Sequence, residues 1–155
     1  MPAITLWVLV SSLVDRNILI FVLLALLIYF LHKRENKTAI LIFVAYLGGV
    51  LLNKILKEIF QVPRPVDALI QVEGYAFPSG HAMSAVIFYS LLILLFHKRI
   101  KNKITRSIFI ITNVVVMLLV GVSRIMLKVH SFYDVIAGYL FGLLWLFIVY
   151  KVLKK

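Results

Sequence analysis

Five apolar runs, over residues 18–32, 39–60, 82–96, 104–122 and 135–150, alternate with short polar breaks along most of the chain. No other feature restricts the fold so strongly. Such a chain cannot hide its apolar side chains in one aqueous core: 63% of its 155 residues are hydrophobic and only 15% charged, whereas a soluble domain is nearer half apolar. The mean hydropathy of +1.06 agrees. In a bilayer each backbone N–H and C=O must be paired within its own segment, so apolar runs of this kind become helices. The pattern predicts an all-α, polytopic membrane helical bundle of five spans, forming one integral membrane domain over residues 1–155. It excludes a disordered chain, a disulfide scaffold and an ordinary soluble enzyme. Cysteine is absent, which removes disulfide and thiolate chemistry.

Several runs are shorter than the roughly 20 residues a crossing helix needs, so their helices should extend into the polar flanks or sit in thinned bilayer. The preceding stretch, residues 3–14, is too short to span. Thr5, Ser11, Ser12 and Asp15 fall on one side of a helical wheel there, with Leu6, Leu9, Val10 and Leu13 mostly on the other. This predicts an N-terminal interfacial helix anchored by Trp7, or a half-length span. With no basic n-region and no small-x-small site, it does not read as a signal peptide.

The net charge of +11 would suggest nucleic acid in a soluble protein, but here its distribution explains it. Eleven of the seventeen basic residues fall in alternate breaks: Lys33, Arg34 and Lys37; Lys98, Arg99, Lys101, Lys103 and Arg106; Lys151, Lys154 and Lys155. By the positive-inside rule these face the cytoplasm, and the connections around residues 61–80 and 123–134 face outward. No nucleic-acid partner is expected. The outward side then holds five of the other six basic residues, Lys54, Lys57, Arg64, Arg124 and Lys128, together with His81, His130 and Asp134. Ionisable groups at membrane depth point to function. His32 and His97 sit beside the cytoplasmic basic runs and read as plain interfacial residues.

Three segments carry these groups: Lys57 followed after six residues by Arg64-Pro65; Pro78-Ser79-Gly80-His81; and Ser123-Arg124, with His130 and Asp134 further on. Arg64 and Arg124 offer planar bidentate contacts to an oxyanion, and Lys57 adds a point charge. Pro63 and Pro65 should end the second helix and keep the Arg64 loop extended. Ser79 is a natural N-cap, and Gly80 permits close backbone approach, so the first N–H groups of the third span would face an anion. His130 and Asp134, four apart, share a helical face, and a carboxylate on one ring nitrogen leaves the other to attack. The bland alternatives are a simple helix start at Ser79, headgroup contacts for the arginines, and a polar pair capping the fifth span.

These segments, in this order, resemble the motifs of the type 2 phosphatidic acid phosphatase superfamily, K-x6-RP, PSGH and SR-x5-H-x3-D. Every fixed position matches, and together they reach from Lys57 to Asp134, half the chain. The family usually has six membrane helices, so the N-terminal segment departs from it. The resemblance implies catalysis by His130, His81 and Asp134: His130 attacks phosphorus to form a phosphohistidine, and His81 protonates the leaving oxygen and then activates water. It implies phosphate binding by Lys57, Arg64, Ser79, Gly80 and Arg124. His81, His130 and Asp134 could ligate a metal, but the surrounding cations would repel one and the resemblance implies metal-independent chemistry, so no metal or cofactor is expected.

The implied protein is a lipid phosphatase of a bacterial inner membrane with its site on the extracytoplasmic face. Its substrate would be a lipid phosphomonoester or diphosphate: lipid A 1-phosphate, undecaprenyl diphosphate or phosphatidylglycerol phosphate. The compact chain is most similar to the small lipid A 1-phosphatases. A lipid phosphotransferase, or a non-enzymatic anionic-lipid binder or scramblase, would use the same residues differently. Elsewhere, Gly48-Gly49 and Gly138-x3-Gly142 suit close helix packing, the latter within the bundle or in a dimer. Asn53 and Asn113 should bond neighbouring helices. Tyr75, Phe77, Phe132 and Tyr133 read as an interfacial belt.

Overall fold

A computed structural model describes residues 2–153. It contains six helices: α1 (Pro2–Ser12), α2 (Arg16–His32), α3 (Asn36–Phe60), α4 (Gly80–Phe96), α5 (Lys103–Met126) and α6 (Phe132–Leu153). Helices α3, α5 and α6 absorb the polar flanks of their apolar runs and are each long and apolar enough to cross a membrane, as is the stretch Ile4–His32 through α1 and α2. The chain is a multi-pass, all-helical membrane protein. Lys154 and Lys155, part of the basic tail, lie outside the described residues.

Polar side chains set the helix starts. Asp15 Oδ1 accepts the amides of Asn17 (2.9 Å) and Ile18 (3.4 Å), and Asn102 Oδ1 accepts that of Thr105 (3.0 Å). Helix α2 ends in a Schellman turn: Glu35 N–H donates to Phe30 O and Arg34 N–H to Leu31 O, with Arg34 left-handed at φ 58°. Glu35 also pairs with Arg99 at 2.8 Å, joining two connections at the basic end of the bundle.

Helix α4 is the hub. It packs on α3, α5 and α6 and buries Ala82, Met83, Ala85, Val86, Ile87, Phe88 and Leu91. One core cluster joins Phe30, Leu19 and Ile42 to Ala85 and Val120, and another joins Ala45 to Met83, Ile87 and Leu146. At 17 residues α4 is the short span, about 25 Å long at 1.5 Å per residue. Wrapped by its neighbours, it need not reach both lipid surfaces. The outer faces carry exposed apolar side chains such as Phe21, Ile28, Ile108 and Leu140, suited to lipid.

The glycines set the contact distances. Gly138 and Gly142 lie against α4, where a Cβ at Gly138 would come 2.6 Å from Ser79 O, and one at Gly142 would strike Val86. This pair therefore packs within the bundle. Gly48 makes room for the Trp145 ring, whose Nε1 donates to Ala45 O at 2.9 Å. Asn53 Nδ2 bonds to Pro78 O (3.3 Å), just before α4, and meets the neighbouring helix itself at Met83 Sδ (3.6 Å). Asn113 does not bond a neighbour: its Nδ2 donates to Phe109 O of its own helix (2.8 Å), one turn back and within easy reach.

Candidate functional site

The up-and-down connectivity brings the end of α3, the start of α4, the end of α5 and the start of α6 to one end of the bundle, away from the Lys/Arg-rich connections. All eight residues singled out in the sequence lie at that end. Local geometry explains how each is presented.

Helix α5 stops in a second Schellman turn, with Val129 N–H to Arg124 O (3.2 Å), Lys128 N–H to Ile125 O (2.9 Å) and Lys128 left-handed at φ 54°. The reversal turns the chain back before His130. Helix α6 then opens with a reciprocal cap: Ser131 N–H donates to Asp134 Oδ2 (2.7 Å), and Asp134 N–H donates to Ser131 Oγ (3.2 Å). The same Oδ2 stands 3.7 Å from His130 Nδ1, a close approach that falls short of a hydrogen bond. Asp134 thus caps the fifth span and also faces the imidazole. Both side chains are buried, and His130 Nδ1 has no hydrogen-bond partner.

On the other edge of the ring, His130 Nε2 lies 3.3 Å from Arg64 Nη1. A guanidinium has only donors, so Nε2 must be the acceptor and the ring proton sits on Nδ1, toward Asp134. That tautomer keeps a lone pair on Nε2. Burial holds the His130 pKa below the ordinary His range; Asp134 opposes this, and Arg64, Arg124 and Lys57 add to it.

Arg64 is reached through an irregular connection. Gln61, left-handed at φ 48°, ends α3 two residues before Pro63. The Arg64 guanidinium donates to Gly74 O (2.9 Å), Val129 O (3.0 Å) and Glu73 O (3.1 Å). Lys57 Nζ donates to Tyr75 O and, at 3.3 Å, to Ala76 O. Both cations of the first motif therefore pin the connection between α3 and α4, and only Arg64 reaches the His130 ring directly.

Ser79 is fully buried and caps α4 as expected, its Oγ accepting from Ala82 N at 3.5 Å. Its own amide donates to Asp134 O at 2.9 Å and ties the second motif to the third. Gly80 abuts Asn53, whose Oδ1 would lie 3.0 Å from an added Cβ. His81 lies within reach of the charges of Arg124, His130 and Arg64. It also lines a cavity of about 540 Å³ with Asp15, Tyr46, Asn53 and Ser84, to which Ile20 of α2 and Leu47 and Val50 of α3 add apolar surface. Among the described residues, no three His, Asp or Glu side chains converge as a metal site would require.

Arg124 is 2% exposed. Its Nη1 donates to Ser11 Oγ of α1, and its Nε is buried without a partner. Sequence reasoning missed this role of Ser11. The sequence marks the polar side of α1 but not the surface it meets, and Ser11 on that side is buried in the bundle.

The arrangement sets Lys57, Arg64 and Arg124 around a neutral imidazole and one carboxylate. It can receive an anion and offer it a ring nitrogen. Among proteins of known function, phosphatidylglycerophosphatase B of Bacillus subtilis (strain 168) is 36% identical over 119 residues, 75% of this chain and 58% of that protein. Dolichyldiphosphatase 1 of Homo sapiens is 28% identical over 152 residues, 86% of this chain and 62% of that protein. The chain thus spans less than two thirds of either relative. The crystal structure of a transmembrane PAP2 type phosphatidylglycerolphosphate phosphatase from Bacillus subtilis superposes with a TM-score of 0.87 at 28% identity, covering 99% of this chain and 77% of that one. The PAP2 superfamily pattern itself matches residues 37–155, a stretch that takes in all three motifs, and the chain belongs to that superfamily.

Proposed function

We propose that the protein is a metal-independent lipid phosphatase that removes a terminal phosphate from a lipid phosphomonoester, with phosphatidylglycerophosphate as the first candidate substrate. The observation that carries the reading is the Arg64 Nη1 to His130 Nε2 contact, which sets a phosphate-binding group on the atom that would attack. The 36% identical Bacillus subtilis relative supports the choice of lipid. Dolichyldiphosphatase 1 keeps a polyprenyl diphosphate such as undecaprenyl diphosphate as the second candidate. Neither relative's name points to lipid A 1-phosphate, which the compact chain suggested.

In the proposed reaction the phosphate takes Arg64 Nη1 from the ring, and Lys57, Arg124 and the amides of Gly80 and His81 surround its other oxygens. His130 Nε2 forms a bond to phosphorus as the bond to the leaving oxygen breaks, and His81 gives that oxygen its proton. Asp134 stabilises the charged ring from the Nδ1 side. Water then attacks the phosphohistidine, His81 takes its proton, and phosphate leaves. The cavity beside His81, lined both by polar groups such as Asp15 and Asn53 and by the apolar Ile20, Leu47 and Val50, suits a lipid headgroup with its chains still in the bilayer. The positive-inside distribution supports a site on the extracytoplasmic face of a bacterial inner membrane.

The test is phosphate release by the purified protein from single lipids (phosphatidylglycerophosphate, undecaprenyl diphosphate, lipid A 1-phosphate) with no acceptor lipid present. Release from one of them is expected. Transfer only when a second lipid is added would make it a phosphotransferase; no turnover with intact lipid binding would make it a binder. Rapid quench should trap an acid-labile, base-stable label on wild type and none on His130→Ala. With nitrophenyl phosphate, which needs no acid, His81→Ala should accumulate that label. Label on His130→Ala but not on His81→Ala would reverse the two roles.

A further inference from the structure

A buried guanidinium of the third motif is bonded by a helix outside the family match. Arg124 sits in the last turn of α5, and Ser11 sits near the end of α1, before the stretch 37–155 that the superfamily pattern covers. Helix α1 packs on α5, and the corner that follows it is held separately, Tyr89 Oη donating to Leu13 O at 3.2 Å. Ser11 is therefore fixed from two sides.

The chemistry of the contact is selective. A guanidinium presents a side-on fork made of Nε–H and one N–H of Nη2, which matches two oxygens of a phosphate. Ser11 takes Nη1, the nitrogen outside that fork. Nε is buried and unpartnered. An unpaired buried donor is unfavourable unless something arrives to accept from it. The Ser11 hydroxyl thus leaves the Nε–H of the phosphate-matching edge unpartnered and holds the guanidinium against rotation about its stem.

We propose that Ser11 of the N-terminal helix is a positioning residue of the phosphate site, holding Arg124 by Nη1 so that its Nε/Nη2 edge meets the substrate phosphate. The inference rests on the phosphatase reading above. It makes α1 a working part of the site, where the sequence suggested an anchor.

The experiment compares Ser11→Val with Ser11→Thr, which have nearly the same shape and differ in the hydroxyl, in the full-length purified protein. The readouts are KM and kcat for nitrophenyl phosphate and the inhibition constant for vanadate. Hydrogen bonds to charged groups are strong enough that Ser11→Val should raise KM and weaken vanadate by about tenfold, with a smaller change in kcat. Ser11→Thr should recover most of that loss. Ser12→Ala, which removes a hydroxyl bonded only to Leu9 O of the same helix, should change neither constant. On an Arg124→Lys background, which has no fork to aim, Ser11→Val should add little. Equal constants for the Val and Thr variants, or the same loss with Arg124 intact as on the Arg124→Lys background, would overturn the proposal. If Ser11→Val does not fold, Ser11→Thr and Ser11→Gly are compared in the same way, and equal constants there also overturn it. Wild type inactive on every phosphate ester would instead count against the phosphatase reading itself.

Discussion

Gly138→Ala tests whether the α4–α6 contact sets the geometry of the site. An added Cβ would lie 2.6 Å from the backbone oxygen of Ser79 and 3.0 Å from Ala82 Cβ. The first obstacle is main chain and cannot rotate away. To restore ordinary contact at 3.4 Å, α6 must retreat from the start of α4 by about 0.8 Å. That movement acts on the place where Ser79 N–H meets Asp134 O, so it separates the second motif from the carboxylate behind His130. Overpacking of this kind destabilises by about 1–3 kcal/mol. A misplacement near 1 Å among reacting groups can cost roughly 100-fold in rate. Gly138→Ala should therefore lower kcat/KM by about two orders of magnitude while the protein still melts cooperatively in detergent. Gly142→Ala is the comparison. Its obstacle is chiefly the Val86 side chain, one turn deeper, so it should lose similar stability but far less activity. Hydrolysis of nitrophenyl phosphate and thermal melting on both variants decide the matter. Full activity in Gly138→Ala, or a greater loss in Gly142→Ala, would refute the idea that this contact aligns the motifs.

The remaining predictions concern protons, metals and sidedness. Because the folded His130 pKa lies below the ordinary value of about 6.5, its acid limb in kcat/KM should fall below that pH. For stability the sign runs the same way: below about pH 6.5 the unfolded chain takes up a proton that the folded ring refuses, so stability should fall with pH until the folded value is passed, and His130→Gln should lessen that slope in melting curves. Activity should survive excess EDTA; loss restored by Mg²⁺ or Zn²⁺ would end the metal-free mechanism. The chain has no cysteine, so single cysteines report cleanly on sidedness. One placed at Val72 should react with an impermeant thiol reagent in intact cells and one at Lys101 should not, and the opposite pattern would move the site to the cytoplasm.

Some of this molecule is written locally. Apolar runs become helices wherever they occur in lipid, because the backbone has no other partner there. Asp15, Ser79 and Asn102 cap their helices with groups two or three residues away, and Ser131 with Asp134 does the same for α6. The spacing of His130 and Asp134 anticipated that the two would face each other, although His130 lies in the bend before α6 and not on a turn of that helix, and the order of the three motifs named the family. The alternation of basic breaks followed from counting charges.

What depended on the fold joins residues far apart in the chain. Arg64 reaches His130 Nε2 and Val129 O only because α3 and α5 end at the same level, and that contact sets the tautomer. The burial of Ala82–Met83, Ala85–Phe88 and Leu91 of α4 depends on its neighbours α3, α5 and α6. The sequence could show that Gly138 and Gly142 were packing residues but not which helix they met. Ser11 is the clearest case: its periodicity marked a polar side, yet only the docking of α1 on α5, 113 residues along the chain, turned that side from the headgroups to Arg124. A periodic pattern states that a face differs from its opposite; which surface that face meets is decided by the packing of all the helices together, since each buried polar group must find its partner there.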